Sequence, residues 1–215
     1  LLQLYWNQDS HHAGASAHSS TCKDALSLPV LVLAVAEFIG GSVFWSCAAW
    51  IPTLLRTAKA LTPQETGWVM GVLSLANMFG SFSLGSLSDK FGRRTVIVLS
   101  AFPAALAAFV LFYWLESAAS LAIGIFIFGT LKASVPALVV ALAQEAAPAG
   151  SAGTASGIIM SLHYMSGVVA PLVAARLIIA TGDIILALIF VSSVPLVLYG
   201  SLISMGRERR RTLSG

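Results

Sequence analysis

Charge is what this chain has least of. Twelve Lys or Arg and nine Asp or Glu make up only 10% of its 215 residues, where a soluble domain carries about 25%. So few charges cannot solvate a globular surface, which excludes ordinary soluble enzymes and solvated scaffolds. Cysteine is also scarce: Cys22 lies in a polar leader and Cys47 in a hydrophobic stretch, so neither a disulfide framework nor a CxxC metal pattern is present. The basic excess, a net +3 with a pI near 9.1, is gathered in two short places. That fits membrane orientation rather than nucleic acid. What the chain does have is apolar residues, 57% of the total, with a mean hydropathy of +0.87. At about 20 residues per spanning helix, at most about six or seven spans fit.

Residue 1 is Leu rather than Met, so the expectation is a chain that was processed, truncated or read from an incomplete frame. Residues 1–27 form a polar leader rich in Ser, His, Ala and Gly, without the charged-then-apolar order of a secretory signal. Its histidines His11, His12 and His18, with Asp9, have no fixed metal-ligand spacing. The leader is therefore expected to be a disordered, solvated tail, and neither metal nor cofactor is expected. Beyond it, six apolar stretches at 28–54, 66–87, 95–115, 119–143, 153–180 and 184–205 predict membrane-spanning helices. Pro52, Pro103, Pro136, Pro171 and Pro195 should bend or end them locally. If the leader is cytoplasmic, that side holds Lys23, Lys90, Arg93, Arg94, Arg207, Arg209, Arg210 and Arg211. The other side holds Arg56 and Lys59, with Arg176 near it. Positive loops stay inside, so both termini and the basic tail 207–215 are expected in the cytoplasm of a plasma or inner membrane.

The second and fifth spans resemble each other. Gly67-x-x-x-Gly71 leads to Ser74-Leu75-x-x-Met78-x-Gly80, and Gly153-x-x-x-Gly157 leads to Ser161-Leu162-x-x-Met165-x-Gly167. The two spans cross in opposite directions, so the pair reads as an inverted repeat of three helices against three; chance matching of small-xxx-small packing patterns is the competing explanation. The sharper motif is Gly85-Ser86-Leu87-Ser88-Asp89-Lys90-Phe91-Gly92-Arg93-Arg94, between the second and third spans. Gly85 would let helices approach, Asp89 can accept from backbone N–H groups or pair with a base, and Gly92 permits a turn. Arg93 and Arg94 can anchor at headgroups.

This segment resembles the G-x-x-x-D-[RK]-x-G-[RK]-[RK] signature of the major facilitator superfamily. The resemblance implies an all-α membrane protein, here six transmembrane helices as two inverted three-helix repeats, half of a twelve-helix fold. The domain would run over 28–206. The block Pro148 to Gly157, then Val169-Ala170-Pro171 and Thr181-Gly182-Asp183, resembles the surroundings of the eleventh helix, so the C-terminal half is expected and the leader becomes a remnant of the central loop. The resemblance also implies that the first, second, fourth and fifth helices line a pathway, and that Asp89 with its loop locks one conformation.

Ionisable side chains inside a bilayer are costly and by default functional. Glu37, Lys132 and His163 each fall about 14–17 Å from the same end of their helices at 1.5 Å per residue, so they can share one layer. Glu37 is a candidate proton carrier, or a structural partner of Lys132; Lys132 is a candidate seat for an anionic solute, or that same partner. His163 is a candidate proton relay, or a satisfied interhelical histidine. Asn77 and Tyr164 are candidates for uncharged contacts. Trp45 and Trp50 either touch substrate or form an interfacial belt. The third and sixth spans carry no Asp, Glu, Lys, Arg or His and are expected to face lipid.

An intramembrane enzyme finds little support, since Gly153-Thr154-Ala155-Ser156-Gly157 is not a G-x-S-x-G elbow. A channel lacks a filter motif or a spaced Arg helix. The reading is a secondary active transporter of a small solute by alternating access, with a proton-coupled mode drawn from Glu37, Lys132 and His163. Its partners would be the solute, the bilayer and a second six-helix half. The alternative is a non-transporting half or fragment.

Overall fold

The computed structural model describes residues 27–133, 135–148 and 150–205, and all that follows concerns these. They fold as α1 (Leu28–Thr57), α2 (Pro63–Phe91), α3 (Arg93–Tyr113), α4 (Ala118–Lys132), α5 (Val135–Ala146), α6 (Ala152–Thr181) and α7 (Ile184–Met205). Segments α4 and α5 together make one crossing, so there are six helices of membrane length. The fold class is therefore as expected. The histidines of the leader, Cys22, Lys23 and the tail arginines lie outside the described residues.

Local chemistry sets the helix starts. Thr62 and Glu65 form a reciprocal capping box, with the Glu65 N–H donating to Thr62 Oγ1 at 3.2 Å and the Thr62 N–H to Glu65 Oε2 at 2.8 Å. This satisfies two donors that a helix start otherwise leaves open, so α2 begins at Pro63, earlier than the apolar run. Ser117 Oγ accepts from the Ser120 N–H ahead of α4. Asp183 Oδ1 accepts from the Ile185 and Leu186 N–H groups, directly after Gly182 has closed α6 in the left-handed region.

One expectation needs correction. The segment 86–94 is not a loop: α2 continues to Phe91, α3 starts at Arg93, and the turn is the single residue Gly92 at φ +85°. Apolarity reports where lipid begins, whereas the helix is free to run on into the headgroup region. Of the five prolines expected to bend or end a helix, Pro136 lies beside the break between α4 and α5, and Pro52, Pro103, Pro171 and Pro195 end none, sitting inside continuous helices.

Helix packing follows the inverted repeat. The most extensive contacts are α1 with α6, α3 with α7, and α2 with α4. Exchanging the first three spans for the last three turns the α1·α6 pair into the α4·α2 pair and maps α3·α7 onto itself. The repeat-related glycines sit at equivalent interfaces. A Cβ on Gly167 would meet the Trp45 ring of α1 at 2.9 Å, and one on Gly80 would run into the Thr130 carbonyl of α4. Gly67, Gly71, Gly153, Gly157 and Gly85 have no such neighbour within 4 Å, so close packing within this bundle does not account for the GxxxG pairs, nor for Gly85.

The interior is two apolar clusters. Val30, Ala34, Ile97, Val139, Ile159 and Ile203 build the one nearer the motif, and Val43, Ile51, Leu54, Leu111, Leu121 and Leu188 the other. Along α1 the stretch between them contains Glu37, Gly40 and Gly41.

Candidate functional site

Glu37 is wholly buried on α1, and its Oε1 lies 2.7 Å from His163 Nδ1 of α6. Small residues make this approach possible. A Cβ on Gly41 would stand 2.6 Å from Ser166 Oγ and 2.9 Å from His163 Nδ1, so glycine there lets the carboxyl and imidazole meet. Ser166 Oγ donates back to the His163 carbonyl at 2.5 Å. The pair offers one short hydrogen bond that exists with the proton on either partner, as carboxylate with imidazole N–H or as carboxylic acid with imidazole nitrogen.

Lys132 closes α4 and is 7% exposed. Its Nζ stands 5.0 Å from the centroid of the Phe44 ring, a cation–π contact, and the Phe44 ring is 6.2 Å from that of His163. The three ionisable residues thus share one layer, as their depth predicted. The direct Glu37–Lys132 pair does not form: Glu37 takes His163 instead, and Lys132 has no hydrogen-bond acceptor or ion-pair partner among the described residues. Sequence depth cannot separate these cases, because it says nothing of which helices adjoin.

Tyr164 joins the layer with its ring 5.5 Å from His163 and 6.2 Å from Trp45, and it is 63% exposed. Trp45 also stacks edge-on to Phe44 at 5.2 Å, which places it within the bundle rather than in a belt. Trp50 donates its indole N–H to the Pro171 carbonyl at 3.1 Å, tying α1 to α6. Asn77 is not brought in: it sits on α2, which packs on α4 and barely on α1, and its side chain has no hydrogen-bond partner among the described residues.

The motif end holds a second polar group. Arg93 pairs with Glu145 of α5 at 2.9 Å, a partner the sequence analysis missed although Glu145 ends the fourth span on the same side. Ser88 Oγ donates to the Gly85 carbonyl and the Gly92 N–H to the Ser88 carbonyl, fixing the turn. Asp89 and Lys90 are exposed and have no ion pair among the described residues. Arg94 is half-buried, and its Nη2 is without a partner there. The described residues hold no cluster of three or more His, Cys, Asp or Glu suited to a metal.

Six apolar crossings around a buried acid–imidazole pair and a buried lysine define an integral membrane protein. The sequence profile of the Major Facilitator Superfamily matches residues 7–171, more than half of the chain, and the chain belongs to that family of transporters. The match begins inside the leader, earlier than expected. The chain is 29% identical over 183 residues to a glycerol-3-phosphate transporter of Bacillus subtilis, covering 77% of this chain and 40% of that protein. It is 33% identical over 108 residues to a D-xylose transporter of Levilactobacillus brevis, covering 48% and 22%. It is 42% identical over 48 residues to a niacin transporter of Acinetobacter baylyi, covering 22% and 11%. The chain thus spans less than half the length of these curated relatives. The family membership points away from an enzyme.

Proposed function

We propose that this chain is one six-helix half, the C-terminal one, of a secondary active transporter that moves a small organic anion by alternating access coupled to protons. The observation that carries the reading is the layer of Glu37, His163 and Lys132, buried where two apolar clusters meet. Burying a charge without an ion-pair partner is expensive, and among the described residues Lys132 has only the Phe44 ring to face. An anion arriving from the pathway would supply the missing acceptor. That one relative is named for a phosphorylated solute is in keeping with this, while the xylose and niacin relatives leave the solute class to experiment.

Protonation of the Glu37–His163 pair would bias the equilibrium between outward and inward states, and only such differential interaction can drive a conformational change. The second half would cover the open faces of α2 and α6, where Gly67, Gly71, Gly153 and Gly157 have open space beside them. Asp89, free of ion pairs among the described residues, would bond to that half in one state and release it in the other. Both termini would lie in the cytoplasm.

The first test is the mass of the native polypeptide, detected with an antibody to residues 207–215. A species about twice 22.5 kDa supports two halves in one chain. A species near 22.5 kDa requires a separate partner, and failure of any second half to copurify would favour a non-transporting protein. In liposomes holding both halves, Glu37→Gln should abolish uptake driven by a pH gradient and Lys132→Ala should weaken anion uptake at least tenfold. Unchanged uptake in both variants would remove the assignment.

A further inference from the structure

The sixth span was expected to face lipid, yet α7 sends Tyr199 into the interior, wholly buried. Its ring lies against α1 at Gly40, where a Cβ would stand 3.1 Å from Cε2. Gly40 is one helical turn from Glu37, so the two positions share a face of α1. Among the described residues the buried Tyr199 hydroxyl has no hydrogen-bond partner, and neither has Glu37 Oε2, the oxygen that His163 does not use. One buried region therefore contains an O–H donor and a carboxyl acceptor that are both unpaired among the described residues. Buried polar groups are rarely left unpaired, and a single hydrogen bond would satisfy both atoms, formed directly or through one water.

We propose that Tyr199 is a positioning residue for Glu37, its hydroxyl donating to Oε2 in the state where the His163 contact loosens. Glu37 then has two stations: the imidazole of α6 on one oxygen and the phenol of α7 on the other. No bond is made or broken beyond the proton that Glu37 already carries. The tyrosine donates its own hydrogen throughout and stays neutral. Helix α7 would thereby report the protonation of the central layer to the outer rank of the bundle, which it forms with α3. The other ionisable groups around Glu37 among the described residues are His163 on α6 and, through space, Lys132 on α4; α5 contributes none at this level.

The inference rests on the reading of Glu37 as proton carrier, and the test separates the two. In the protein assembled with its second half in liposomes, infrared difference spectra would be recorded across pH, with Glu37→Gln identifying the Glu37 carboxyl or carboxylate band. Tyr199→Phe keeps the ring against Gly40 and removes only the hydroxyl. It should shift the Glu37 band and raise the pH midpoint of uptake by about one unit, a tenfold change in proton affinity, with maximal uptake retained. Replacing Tyr199 by 3-fluorotyrosine, whose hydroxyl is the stronger donor, should move the midpoint down. A Glu37 band unmoved in both variants would overturn the role of Tyr199 while leaving the proton reading intact. Proton-driven uptake surviving Glu37→Gln would instead overturn the proton reading, and the band shift would still decide the hydrogen bond.

Discussion

Replacing Gly41 with alanine tests how tightly α1 and α6 are held together. The added carbon would stand 2.6 Å from Ser166 Oγ and 2.9 Å from His163 Nδ1, whereas carbon contacts settle near 3.5–4.0 Å. Relief requires the helices to part by about 1 Å, which takes the 2.7 Å bond from Glu37 to His163 outside the usual range of about 2.7–3.2 Å. Either the clash is borne, at about 1–3 kcal/mol, or the hydrogen bond is lost, at about 1.5–3 kcal/mol for one involving a charged group. The two are alternatives, so the cost is about 1–3 kcal/mol rather than their sum. For a chain of this size about 2–4 °C of melting temperature goes with each kcal/mol, so the expected fall is about 2–12 °C. Alanine also gains helix propensity of about 1 kcal/mol over glycine. Gly67→Ala in α2, where a Cβ meets nothing within 4 Å, carries the same gain without the clash. The measurement is therefore the difference in thermal melting between the two variants in one detergent, followed by tryptophan fluorescence. Equal melting temperatures, to within about 1 °C, would refute the account of why glycine occupies position 41.

Thr62→Ala removes one side of the capping box and should cost about 1 kcal/mol, seen as a melting temperature lower by about 2–4 °C. Reversing the charge of Arg93 alone should weaken the link between α3 and α5, and the double exchange Arg93→Glu with Glu145→Arg should restore it; a double-mutant cycle of thermal stability reads the coupling, expected at about 0.2–1 kcal/mol for so exposed a pair. Asp89→Asn should slow turnover several-fold while leaving membrane insertion and melting unchanged, and normal turnover in that variant would remove its locking role.

The six crossings could be read from the sequence because a bilayer imposes one requirement, about 20 apolar residues with their backbone bonds satisfied internally. The layer of Glu37, Lys132 and His163 was legible because depth is simple arithmetic along a helix. Which of the three would touch depended on helix neighbours, and that Glu37 of α1 meets His163 of α6 while Lys132 of α4 meets the Phe44 ring cannot be read from spacing. Asn77 and Tyr164 were both candidates for uncharged contacts, yet only Tyr164 sits on a helix that packs extensively on α1. Glu145 escaped notice because a charge at a span end looks like any headgroup contact until Arg93 is placed beside it. Tyr199 escaped because it carries no charge at neutral pH and sits in a span otherwise free of ionisable residues.

The contact between Glu37 and His163 joins residues 126 positions apart. At about 5–20 residues per second of synthesis, α1 exists for roughly 6–25 s before its partner imidazole has been made. During that interval the carboxyl must reside in lipid or the insertion machinery without the bond that later satisfies it. A central acidic residue opposes membrane insertion by about 2.5–3.5 kcal/mol, which the apolar residues on either side of it in α1 must outweigh alone. Until α6 arrives, the apolar flanks of α1 alone hold that carboxyl in the membrane, so the order of synthesis makes α1 the helix whose insertion is most exposed to its own buried acid.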